Sequence, residues 1–133
     1  MKIMFDEMKA HDVIEEGYEE AKNYIESTKK MDALIDKVTM KLNEMDDQED
    51  FSDYVSNYIL LLSDYRNKRY TEMPNVALLV MVSSLLYLVN RYDYIPDDLG
   101  DTGLYDDKLV IKVCQRMIES EMNDYNQWRK NNG

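Results

Sequence analysis

Fourteen consecutive residues without a charge, Val76 to Val89, constrain this chain more than any other feature. Only Ser83 and Ser84 in that run are strongly polar. As a helix, fourteen residues at about 1.5 Å each reach roughly 21 Å, short of the roughly 30 Å hydrocarbon core of a bilayer. A helix that is apolar all round and too short to cross a membrane belongs at the centre of a bundle. The spacing therefore predicts a central helix over 75–91, with Pro74 suited to its first turn.

The flanking sequence supplies amphipathic helices to cover it. Ile14, Tyr18, Ala21 and Ile25 recur at spacings of 4, 3 and 4 within a helical stretch over 4–28. Gly17 weakens its middle and marks a possible kink. Met31, Leu34, Val38, Leu42 and Met45 repeat the pattern over 31–45. Ser27 to Lys30 is the expected joint, and one bent helix over 4–45 is the alternative. A third helix over 51–69 presents Phe51, Tyr54, Val55, Tyr58, Ile59, Leu62 and Tyr65, and ends in Arg66, Lys68 and Arg69, bases that suit a helix C-terminus. A last helix over 105–128 turns Leu109, Val110, Val113, Met117, Tyr125 and Trp128 inward, with a tail from Arg129 that should fray. Four Gly and two Pro in 133 residues leave too few turns for a β-sandwich. The expected fold is all-α, one domain over 1–133, a compact bundle of four to five helices around the apolar one.

Charge is spread unevenly. The formal net charge is −11, and residues 1–50 carry 15 acids against 7 bases. Such a chain repels nucleic-acid phosphates and anionic lipid and attracts basic partners. Glu15, Glu16, Glu19 and Glu20 lie largely off the apolar stripe of their helix, and Asp46, Asp47 and Asp50 form a second acidic run, with Asp50 placed to cap the helix that follows. These seven residues are the expected partner-binding set, and the partner class is another protein with a basic surface. The single Cys114 excludes an intramolecular disulfide and a cysteine-based zinc site. With no apolar leader in Met1 to Met8, the expectation is a cytoplasmic chain.

Between the central helix and the last one lies an aspartate-rich turn. It reads Asp93-Tyr-Ile-Pro-Asp97, then Gly103-Leu-Tyr-Asp106-Asp107. Pro96 disfavours helix at Ile95, and Gly100 and Gly103 ease tight backbone. Asp106 or Asp107 can cap the last helix, while Asp93 and Asp97 can accept backbone N–H bonds. Asp93, Asp97, Asp101, Asp106 and Asp107 are also the candidate ligands for Ca²⁺ or Mg²⁺. An EF-hand is ruled out: counted from Asp97, position 3 is Leu99, position 6 is Thr102 and position 12 is Lys108. No cofactor is otherwise expected. His11 stands alone among histidines, and no Ser-His-Asp set, phosphate loop or zinc spacing is present. The chain is read as non-enzymatic.

This turn resembles that of the YkvA-like family, a bacterial domain of unknown function numbered 1232. Asp93, Ile95, Pro96, Asp97, Gly103, Asp106 and Asp107 sit at matching positions without a gap. The apolar helix before the turn, the amphipathic helix after it and the aromatic Trp128 fit as well, so the resemblance covers about 74–128. Asn90-Arg91-Tyr92 stand where the family commonly has Ser-Pro. Asp98 to Thr102 replace apolar residues and a second Pro, which opposes contact with lipid. The resemblance implies an all-α fold and no particular activity. The function read from the sequence is a protein-binding module, in its sharper form an acidic immunity- or antitoxin-type inhibitor of a basic partner. The alternatives are a metal-binding protein using the turn 93–107, or a peripheral membrane-associated protein.

Overall fold

A computed structural model describes residues 6–44, 50–90 and 101–132, with backbone alone for 90 and 101–105. The described residues are all-α, in the order α1 (Glu7–Glu16), α2 (Tyr18–Ile25), α3 (Thr28–Glu44), α4 (Asp50–Arg66), α5 (Asn75–Asn90), α6 (Asp101–Met117) and α7 (Glu119–Asn132). These are the four to five helical runs expected, with the first divided at Gly17 and the last at Ile118.

α5 is the centre. Nearly every side chain from Ala77 to Leu88 is buried, and α1, α2, α3 and α6 all pack on it. No helix among the described residues is long and apolar enough to cross a membrane. A helix buried on every side must satisfy its polar groups internally. Ser84 does so within α5, donating to the Val80 carbonyl at 2.8 Å. Ser83 reaches out instead, donating to the Ile14 carbonyl of α1 at 2.6 Å.

That hydroxyl accounts for the break between α1 and α2. The Ile14 carbonyl also accepts from the Gly17 N–H at 3.2 Å. A side chain inserted into the backbone ladder is a recognised cause of kinks. Gly17 has no Cβ, and one built there would lie 2.2 Å from Ser83 Oγ. Glycine thus lets α5 approach the joint, with Ile14 and Ala21 buried on either side.

Several other helix ends have a local reason. Asp6 caps α1 by accepting from the Lys9 N–H at 2.9 Å, and Ser27 caps α3 by accepting from Lys30 at 3.2 Å. α3 buries Met31, Leu34 and Val38 against α4, which buries Phe51, Val55, Tyr58, Leu61 and Leu62. α4 ends in a Schellman arrangement: Lys68 N–H bonds to the Tyr65 carbonyl and Arg69 N–H to that of Asp64. Lys68 adopts φ 62° there, a left-handed conformation that glycine accepts more cheaply.

The two arginines at this end have definite partners. Arg66 makes a two-pronged pair with Asp32 of α3, at 2.7 and 2.9 Å. Arg69 bonds to Asp64 at 2.8 Å. Asp64 also accepts from Tyr125 at 2.6 Å, and Tyr125, Tyr70 and Trp128 pack ring to ring at 5.1–6.0 Å between centroids. Those contacts dock α7 on the α4–α5 corner. α7 stays helical to Asn132, four residues beyond the expected end at 128.

Candidate functional site

The residues expected to bind a partner divide clearly. Glu15 and Glu16 close α1, and Glu19 and Glu20 open α2; all four are exposed. At about 100° per residue they span roughly 140° of the helical wheel, opposite Ile14 and Ala21. Glu15 and Glu19, and Glu16 and Glu20, are like charges four apart, an arrangement that costs an isolated helix about 0.2–0.5 kcal/mol per pair. His11 lies on the same surface with Nδ1 3.9 Å from Glu15, so the lone histidine is helix surface. Asp46 and Asp47 lie outside the described residues. Asp50 is exposed and is the first residue of α4 rather than a cap before it.

The aspartate-rich turn is placed differently from expectation. α6 begins at Asp101, four residues before the expected start. Asp106 and Asp107 therefore lie inside the helix, not at its N-terminus. Both are fully buried, and Tyr87 of α5 donates to Asp106 Oδ2 at 3.4 Å. Asp93 and Asp97 lie outside the described residues, and Asp101 is described in backbone only. The full five-ligand set is thus not assembled by the described residues, among which no group of three or more His, Cys, Asp or Glu side chains is arranged to hold a metal.

The thiol offers no nucleophile. Cys114 is buried in α6, its Sγ 3.9 Å from the Val80 carbonyl. Burial pushes it up to about 11, so it stays protonated near neutral pH. Tyr58 fills the same layer and donates to Gln115 at 2.7 Å.

Sequence reasoning missed one part of the surface. α1 and α6 pack side by side, and Arg116 of α6 pairs with Glu7 of α1 at 2.5 Å. That pair holds Glu7 below the usual carboxylate range through the Arg116 hydrogen bond. Met8, on the wheel near Asp12 and Glu15, stays 75% exposed. The signal was present in the sequence as a methionine off the apolar stripe.

Comparison with known proteins places the chain. It is 30% identical over 76 residues to an uncharacterized membrane protein, YkvA, of Bacillus subtilis (strain 168), an alignment covering 57% of this chain and 72% of that protein. The chain belongs to the YkvA-like family. Its all-α bundle agrees with the fold the aspartate-rich motif implied. No family model matches this YkvA-like chain, and no solved structure matches it. The relative is itself uncharacterized, so membership fixes kinship and leaves activity to the chemistry of the surface.

Proposed function

We propose that this YkvA-like chain is a non-enzymatic protein-binding module, an acidic inhibitor of the immunity or antitoxin type that covers a basic surface on its partner. The observation that supports this is the exposed arc of Glu15, Glu16, Glu19 and Glu20 on the outside of α1 and α2. Their apolar sides are fixed to α5, so the carboxylates are presented on a rigid support. Like-charge spacing weakens the helices when free, and basic side chains opposite would relieve it. Complementary charge also speeds encounter and selects partners. Capture of the tagged chain in its source organism tests the idea, run beside a Glu15→Gln, Glu16→Gln, Glu19→Gln, Glu20→Gln variant. The expected result is one basic protein retained by the original chain, released by raised salt and absent with the variant. An unchanged partner on the variant would overturn the reading.

Association with a membrane surface is a second reading. The Bacillus subtilis relative, a membrane protein by name, favours it, while the chain's net charge of −11 opposes anionic lipid. Flotation with anionic and zwitterionic vesicles decides it: absence from both lipid fractions ends this reading.

A further inference from the structure

Beside the acidic arc, α1 and α6 leave a groove of about 500 Å³ open to solvent. Met8, His11 and Asp12 of α1 line one side, and Val113, Arg116 and Met117 of α6 line the other. The floor is apolar: Val113 is 5% exposed, and Met117 is half-buried. Met8 stands at the lip, the most exposed large apolar side chain among the described residues. Exposing a long apolar chain beside a groove costs solvation that an occupant would recover, about 25 cal/mol per Å² covered. Methionine is the side chain that best adapts to an irregular partner.

Charge limits what the occupant can be. Arg116 is engaged by Glu7, and Lys112 of α6 also faces that carboxylate, so the bases of the α6 wall are turned to Glu7, while Asp12 stands at the opposite rim and Glu15, Glu16 and Glu19 continue along the same exposed side of α1 and α2. A second copy of this chain, itself at −11, would approach against like net charge. An anionic lipid surface would be repelled likewise. The groove's walls are two helices, so its ridges suit a third helix. No strand edge exists among the described residues to pair an extended peptide.

We infer that this groove is the docking site for a basic amphipathic helix of a partner protein. Apolar side chains on one face of that helix seat against Met8, Val113 and Met117, and its lysines or arginines lie over Asp12 and the glutamate arc. The inference rests on the protein-binding reading and adds to it the place where apolar anchors enter. It follows the helix-in-groove mode, in which positions i, i+3, i+4 and i+7 supply the anchors.

The probe is a synthetic leucine–lysine amphipathic peptide of about 15 residues, long enough for roughly four turns, and its counterpart with every lysine replaced by glutamate. Binding is measured by calorimetry and by NMR of ¹³C-methyl methionine in the full chain. The lysine peptide should shift the Met8 and Met117 methyl signals and leave Met40, exposed on α3, unmoved. The glutamate peptide should not bind. Met8→Gln alone, on an exposed side chain, should weaken binding about threefold, and Met8→Gln with Met117→Gln about tenfold, the factor that 1.4 kcal/mol of lost contact gives. Met40→Gln should change nothing.

Unmoved Met8 and Met117 signals, or undiminished binding by the double variant, overturn the groove. If the four-glutamine variant still abolishes binding in that case, the acidic reading stands without the groove. If it also binds unchanged, both fall. Methionine signals that shift with protein concentration in the absence of peptide would make the groove a contact between copies, which also overturns the inference.

Discussion

Two helical runs in this chain are divided, and they are divided in different ways. At Gly17 a foreign group enters the ladder: Ser83 of α5 bonds to the Ile14 carbonyl, and a Cβ at Gly17 would strike the same hydroxyl. At Ile118 the ladder runs on. Ile118 N–H bonds to Cys114 at 3.1 Å, and Met122 N–H bonds to Ile118 at 2.9 Å. The first join depends on the absence of a side chain, and the second on the presence of one, since Ile118 is fully buried between α6 and α7. A break in a helix is therefore not one kind of event. One is imposed by a neighbour that needs room for a hydrogen bond, while the other falls at a buried isoleucine that keeps its own ladder bonds on both sides.

The comparison is sharpened most by shortening the side chain at the second join. Ile118→Ala should destabilise by about 2–4 kcal/mol, the range for emptying a buried aliphatic site. Urea unfolding at pH 7 measures it. A loss under about 1 kcal/mol would show that the Ile118 side chain does not hold this join. At the first join two effects oppose each other. Alanine is the better helix former by about 1 kcal/mol, yet its Cβ would displace Ser83 and cost the buried hydroxyl its partner, about 1–3 kcal/mol for overpacking and as much again for an unsatisfied group. Packing should win, so Gly17→Ala is expected to lose roughly 1–3 kcal/mol. Adding Ser83→Ala removes the obstructing oxygen, and the double variant should recover most of that loss. Gly17→Ala equal to or above the original chain in stability would refute the steric account.

The same contrast shows what could be seen in the sequence. The central helix was legible because a charge-free run leaves few places to go, and nearly all of residues 77–88 are buried as that run required. Gly17 was visible as a weak point because glycine is intrinsically poor in a helix, although Ser83 as its cause was not, being 66 positions away. Ile118 carried no local signal, because an isoleucine in an apolar stripe reads as continuous helix. The start of α6 was misjudged for a related reason. Asp101 and Gly103 suggested turn, and the paired aspartates suggested a cap, yet the helix begins at Asp101 and takes Asp106 and Asp107 into the core. The acidic arc was legible in full at Glu15, Glu16, Glu19 and Glu20, since positions off an apolar stripe face solvent. The groove was not, because it is formed by α1 and α6, whose pairing no local pattern encodes. Arg66 was read as a helix-end charge, and its two-pronged bond to Asp32 is again a long-range fact.

A third join, the docking of α7 on the α4–α5 corner, tests whether polar bonding or ring packing holds it. Tyr125 is buried among Tyr70 and Trp128, and its hydroxyl donates to Asp64. Burial pushes the Asp64 carboxyl up, but the Tyr125 hydroxyl and Arg69 together outweigh it and hold the group below its ordinary range. A carboxyl lowered in the folded state adds stability above its unfolded value of about 4 and loses it as pH falls through the folded value. Tyr125→Phe keeps the ring and removes the hydroxyl, so it should cost about 1–2 kcal/mol at pH 7, where the bond is to a charged acceptor. Arg69 remains to pair Asp64, which keeps the loss at the low end for such a bond. As pH falls below the ordinary carboxylate range and through the lowered folded value, the carboxyl protonates in both chains, and the gap between them should narrow. Urea midpoints at pH 7 and at a series of lower pH values give the comparison. A gap that stays constant with pH would assign the docking of α7 to the Tyr70–Tyr125–Trp128 rings alone, and would make this join a matter of packing like the one at Ile118.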